Sequence, residues 1–157
     1  MCLVIDANCF RLVFAKTKNG FTPIKAWIYE GNGYMIYGGT KYNRELRDGG
    51  MLGLVKELST LRKTVQIANA TVDPIAADLK RRFPEPKFND EHIVALVMAS
   101  RCCVVCSNDQ TAIAYLKRAD VFAGSGVKRP KIFRGHKKHV KMCCDEHIVG
   151  ACREIDS

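Results

Sequence analysis

The sequence has no run of about 18 consecutive apolar residues, the length a membrane-crossing helix needs. Nor does it open with a basic segment, an apolar stretch and a small-residue cleavage site in that order. A soluble, unexported, cytoplasmic protein is the expectation. Acidic residues are scarce beside basic ones: 16 Asp and Glu stand against 25 Lys and Arg, for a formal net charge of +9. That balance points to a polyanionic partner. A pair of Cys-x-x-Cys knuckles is also missing, although the chain has 8 cysteines. Most of these (Cys2, Cys9, Cys102, Cys103, Cys106, Cys143, Cys144, Cys152) lie within apolar stretches, so they read as reduced thiols filling small apolar sites. A zinc site drawn from Cys102, Cys103, Cys106, His136, His139, Cys143 and Cys144 is the alternative, and the spacing disfavours it.

What is present suffices for one ordinary core: 157 residues, 47% of them hydrophobic. A single domain over 1–157 is expected, with 142–157 as a C-terminal extension that a helix would suit. Cys2-Leu3-Val4-Ile5 is an apolar run ending at Asp6, followed by apolar residues at helical spacing to Phe14. Further short strands are expected at Tyr34–Tyr37, Val65–Ala68, Cys102–Cys106 and Lys131–Phe133. Helices are expected between them, at Pro23–Tyr29, from a Thr40 cap through Glu45, at Met51–Lys63, from an Asp73 cap and Pro74 to Arg82, at Ile93–Ala99 and at Thr111–Ala119. Strands alternating with helices predict an α/β fold: three layers, α/β/α, around a central parallel sheet. Asp90-Glu91-His92-Ile93-Val94 recurs as Asp145-Glu146-His147-Ile148-Val149, without wider similarity around it, so it is read as coincidence.

In an open parallel sheet, ligands bind beyond the carboxyl ends of the strands, so a carboxylate that ends an apolar strand is well placed for chemistry. Asp6 ends the first strand and Asp109 follows the central one; Asp90 opens the helix leading into that central strand and can reach the same edge. Each taken alone would serve as a turn or helix cap. Gathered together they repel one another, and a hard cation such as Mg²⁺ or Mn²⁺ resolves the repulsion and can activate water against a phosphodiester.

Four separated elements then carry a resemblance: Val4-Ile5-Asp6-Ala7-Asn8, Glu45-Leu46, Asp90-Glu91-His92-Ile93-Val94-Ala95-Leu96, and Val105-Cys106-Ser107-Asn108-Asp109. In order and spacing, and over nearly the whole chain to about Lys141, the sequence resembles the PIN-domain nucleases. The resemblance implies a metal-dependent endoribonuclease using Mg²⁺ or Mn²⁺, in a family where many members are toxins paired with an antitoxin protein and homodimers are common. It assigns Asp6, Glu45, Asp90 and Asp109 as the catalytic acids, with Asp6, Asp90 and Asp109 on the metal, Glu45 holding metal or orienting water, and Asn8 and Ser107 as supporting polar residues. Two departures stand out: Ser107 replaces a frequent threonine, and Gln110 and Thr111 stand where some members add an acid, which implies one firmly held metal and a weaker second.

RNA contact is assigned to Lys41, Arg44, Arg129, Lys131, Arg134, Lys137 and Lys138, the last five from a stretch between Lys117 and Lys141 that holds one acid, Asp120. Tyr42 and Tyr115 are candidates for base stacking, against the more usual core role of aromatics at helical spacing. His92, His136, His139 and His147 offer no convincing acid-base pair for a metal-free ribonuclease. The competing readings are a catalytically silent RNA-binding module and a metal-dependent phosphatase. The latter lacks an Asp-x-Asp start, because Asn8 takes the third position.

Overall fold

The computed structural model describes residues 2–153. The first apolar run forms β1 (Cys2–Ile5) and is buried at every position. Such a strand must sit where both faces are covered. It lies at the centre of a five-stranded sheet of order β3-β2-β1-β4-β5, flanked by β2 (Tyr34–Gly38) and β4 (Val104–Cys106), with β3 (Thr64–Ile67) and β5 (Lys131–Phe133) outermost. Every neighbouring pair is parallel, and Ile5 is in register with Cys106.

Helices supply the crossovers that parallel strands require. A 3₁₀ turn at Ala7–Cys9, α1 (Phe10–Val13) and α2 (Thr22–Glu30) lead from β1 to β2; α3 (Thr40–Asp48) and α4 (Leu52–Thr60) lead from β2 to β3. The chain then returns past β1 through α5 (Asn69–Arg82) and α6 (Glu91–Ser100) to β4, and through α7 (Gln110–Lys117) and α8 (Ala119–Phe122) to β5. Helices flank the sheet in the expected α/β/α layering, and one core of buried side chains runs through strands and helices alike. Among the described residues no helix is long and apolar enough to cross a membrane.

Several local expectations give way to tertiary contacts. Thr40 is not a cap; Gly39 takes that place, and Thr40 begins α3 with its N–H and hydroxyl donating to Asp73 at 2.8 and 2.6 Å. Asp73 is thereby engaged by another element instead of starting its own helix. Accordingly α5 begins at Asn69, and Pro74 lies inside it, where its missing N–H leaves the carbonyl of Ala70 without the usual helical partner. The helix predicted over Thr111–Ala119 breaks at Arg118 into α7 and α8. The β2–α3 turn needs glycines: a Cβ on Gly38 would lie 2.1 Å from the Ile67 carbonyl oxygen, and one on Gly39 2.7 Å from Val72.

The C-terminal part carries 3₁₀ turns at Lys137–Met142 and Asp145–His147 and a short helix, α9 (Gly150–Arg153); residues 154–157 of the 142–157 extension lie outside the described residues. A disulfide joins Cys152 of α9 to Cys2 of β1, with Cα atoms 6.5 Å apart. The expectation that all eight thiols are reduced is corrected for this pair, whose separation of 150 residues hid the pairing. The echoed pentapeptide is helical in its first copy and a 3₁₀ turn in its second, so it does not form a structural repeat.

Candidate active site

Strand order places β1 and β4 side by side although the chain leaves them in opposite directions across the sheet, toward β2 and toward β5. A crevice opens at the carboxyl end of such a pair. Asp6 and Ser107 emerge there as the residues after Ile5 and Cys106. Asp6 is only 4% exposed, and its carboxylate is held on both oxygens: Oδ1 accepts the Asn8 N–H at 3.2 Å and Oδ2 accepts the Ser107 hydroxyl at 2.7 Å. Ser107 Oγ in turn accepts the Asp109 N–H at 3.1 Å. Asn8 supports the site through its backbone, while its side chain is exposed.

Asp109 caps α7, with Oδ1 accepting the N–H groups of Thr111 at 2.7 Å and Ala112 at 3.2 Å. The capping role and the place in the crevice coexist, because only Oδ1 is engaged by the cap. Asp90 stands at the start of α6 without capping it through its side chain. Since α6 leads back to the opposite end of β4, its first residue lies on the same edge as Asp6. Asp6, Glu45, Asp90 and Asp109 all line one cleft of ≈ 600 Å³, together with Asn8, Lys87 and Asn89. The structure therefore brings the four sequence-assigned acids together.

Glu45 projects from α3, and its Oε2 lies 2.9 Å from Nε2 of His92, whose side chain is 2% exposed. A carboxylate only accepts, so Nε2 carries the proton. His92 Nδ1 is buried without a partner among the described residues. This contact went unseen in the sequence, where Glu45 and His92 are 47 residues apart and no local spacing links them. Lys41, assigned to RNA, is already engaged: its ammonium is 3.0 Å from Glu91 and 3.1 Å from Asn89 Oδ1, and it also donates to the Asn89 carbonyl. That ion pair removes Lys41 from the free cations, while Arg44 stays exposed.

Burial raises the Asp6 carboxyl above its usual range, the Ser107 and Asn8 hydrogen bonds oppose the shift, and Asp109 and Glu45 add to it. Burial also pushes Asp90 up to about 6, with Asp6 the next contributor and nearby His92 partly offsetting it. The acids thus feel one another as uncompensated negative charge, which a divalent cation would relieve. An all-oxygen donor set suits Mg²⁺ or Mn²⁺ rather than a soft metal. Among the described residues no three His, Cys, Asp or Glu side chains form a ready cage for a metal, neither here nor at the cysteines and histidines considered for zinc. Mg²⁺ fits such a cleft differently, through one or two carboxylates with water filling the remaining positions.

The basic stretch is divided by β5. Residues before the strand, including Lys128 and Arg129, and Lys131 at its start belong to the amino edge of the sheet, whereas Arg134, Lys137 and Lys138 follow it on the carboxyl edge that carries the acids. Arg129 and Lys131 are therefore at the opposite edge from the cleft. Tyr42 is fully buried and its hydroxyl donates to the Ile5 carbonyl, and Tyr115 stacks on Phe88 with ring centroids 4.0 Å apart, so both belong to the core. His139 is buried against Phe133 and accepts the Arg134 N–H at 2.9 Å.

Compared with protein-family models, curated proteins and solved structures, the chain shows no match, so the fold and this cleft are what describe it.

Proposed function

We propose that the cleft hydrolyses phosphodiester bonds in RNA, as a metal-dependent endoribonuclease using Mg²⁺ or Mn²⁺. The observation that carries the reading is the chain of contacts from Asp6 through Ser107 to Asp109 at the β1–β4 crevice, with Asp90 and Glu45 lining the same cleft. When bound, the metal supplies a polarised water and charge neutralisation at the scissile phosphate. Asp6, Asp90 and Asp109 would hold it. Ser107 and the Asn8 N–H fix the rotamer of Asp6, so the carboxylate is oriented before the ligand arrives. Glu45, which His92 contacts, would orient the attacking water and accept its proton. Arg134, Lys137 and Lys138 lie on the cleft's edge of the sheet and would contact the RNA backbone.

The resemblance to PIN-domain nucleases supports the choice of RNA, and it extends the reading to a cytoplasmic toxin whose antitoxin covers the cleft, or to a homodimer. The cations Arg134, Lys137 and Lys138 on the cleft's edge would serve a second reading as well, a catalytically silent RNA-binding module. Incubating a pool of single-stranded and structured RNA with Mg²⁺, Mn²⁺ or EDTA separates the two. Metal-dependent cutting by the wild type that Asp6→Asn abolishes supports the nuclease; RNA binding by both proteins with no cutting in any metal leaves the binding module.

A further inference from the structure

The amino edge of the sheet holds a second recess, of ≈ 310 Å³, between the end of α6 and the start of β5. Arg101, Lys128, Arg129 and Lys131 line it, Cys103 and Val127 provide apolar surface, and among the described residues no carboxylate borders it. None of these four cations makes an ion pair among the described residues. Gathering like charges without a counter-ion raises the energy of the folded state, and a bound anion reverses that cost.

The cations are also positioned. Arg101 adopts φ 56°, a left-handed conformation at the end of α6 that glycine takes more cheaply. Arg129 Nη1 donates to the Lys117 carbonyl at 2.7 Å, which orients the guanidinium without cancelling its charge. Lys131 Nζ sits 2.9 Å from His147 Nε2, and His147 Nδ1 is 2.7 Å from the Met142 carbonyl. A carbonyl only accepts, so Nδ1 bears the proton and donates, while Nε2 accepts a hydrogen bond from the ammonium; the contact steers Lys131 without neutralising it.

We propose that this recess binds a nucleotide, with phosphate on the Arg101, Lys128, Arg129 and Lys131 rim and the base against Val127 and Cys103. Guanidinium and ammonium groups match phosphate oxygens, and the apolar surface gives a base more to bury than inorganic phosphate has. The site is separate from the carboxylate cleft and does not depend on that cleft cutting RNA.

Titrating the full chain with adenosine monophosphate, inorganic phosphate and hexa-adenylate, followed by calorimetry, tests it. Lys128 and Arg101 are exposed, so Lys128→Glu and Arg101→Gln leave the core intact. The expected result is adenosine monophosphate binding that each variant weakens about tenfold or more, that rising salt weakens, and that Asp6→Asn leaves unchanged. Hexa-adenylate binding much more tightly than the monophosphate, with the same dependence on Lys128, identifies the source as an RNA strand; equal binding identifies a free nucleotide. The proposal is overturned if the wild type shows no binding at about 1 mM ligand, if Lys128→Glu binds undiminished, or if inorganic phosphate binds as well as adenosine monophosphate.

Discussion

Ser107 Oγ joins two acids from different parts of the chain, donating to Asp6 at 2.7 Å and accepting the Asp109 N–H at 3.1 Å. The serine is wholly buried and Asp6 nearly so, so removing the hydroxyl leaves the Asp6 carboxylate without this buried donor and Asp109 without its backbone anchor. Ser107→Ala should cost about 1–3 kcal/mol in urea denaturation and reduce RNA cleavage about tenfold or more. Ser107→Thr keeps the hydroxyl and should retain most of the cleavage. Equal losses in the two variants would mean that volume, not the hydrogen bonds, matters at this position.

Stability should depend on pH in a direction set by the raised carboxyls. Asp90 moves from 3.8 to about 6 and Asp6 also moves up, so the folded chain holds these protons more tightly than the unfolded one. Their contribution is fully present below 3.8 and is lost as pH rises through about 6. The metal-free protein should therefore lose this increment of stability progressively between about pH 4 and 6.5, measured as Tm. Adding Mg²⁺ should restore it at the higher pH and do little at the lower one. A Tm indifferent to Mg²⁺ at both pH values would remove the metal from the account.

Neutralising Asp90 offers an independent check of the same charge. Asp90→Asn should raise the metal-free Tm at pH 7.5 while diminishing the Mg²⁺ response, since it removes a repelling carboxylate and a metal donor together. A lower Tm in the variant would indicate that Asp90 stabilises the fold through a contact other than those described.

His92 should act through Glu45. Substituting His92→Gln preserves an N–H donor, and His92→Ala does not. Cleavage should fall about tenfold in the alanine variant and less in the glutamine variant, with the loss in kcat rather than KM. A loss confined to KM would place His92 in RNA binding instead.

The two edges of the sheet should separate experimentally. Lys137→Glu with Lys138→Glu, on the carboxyl edge, should weaken binding of a short RNA at the cleft about tenfold and flatten its salt dependence. Lys128→Glu, on the amino edge, should leave cleavage of that RNA unchanged. Cleavage lost equally in both would show that RNA spans the whole sheet edge to edge.

Much of the architecture could be read from local pattern. Cys2–Ile5 announces a strand buried on both faces because every residue is apolar, and Asp6 is conspicuous because it interrupts that run. Asp6, Asp90 and Asp109 are assignable one by one from their positions at strand ends and a helix start, whereas Glu45, inside α3, is assigned by resemblance alone. What escaped were contacts between side chains far apart in the chain. Asp73 looks like a helix cap next to Pro74, and only the approach of Thr40 diverts it. Lys41 looks like a free cation until Glu91 is brought beside it.

The charge run shows the division most clearly. Its composition alone made it a candidate anion-binding surface, because clustered cations attract phosphate in any fold. Which cations face which ligand was decided by tertiary structure: β5 crosses the sheet between Lys131 and Phe133, so residues that are neighbours in sequence end on opposite edges. Periodicity and capping are short-range properties and are written locally in the chain. The direction of a strand within a sheet, and the partners waiting at each of its ends, arise only when distant segments pack around a shared core.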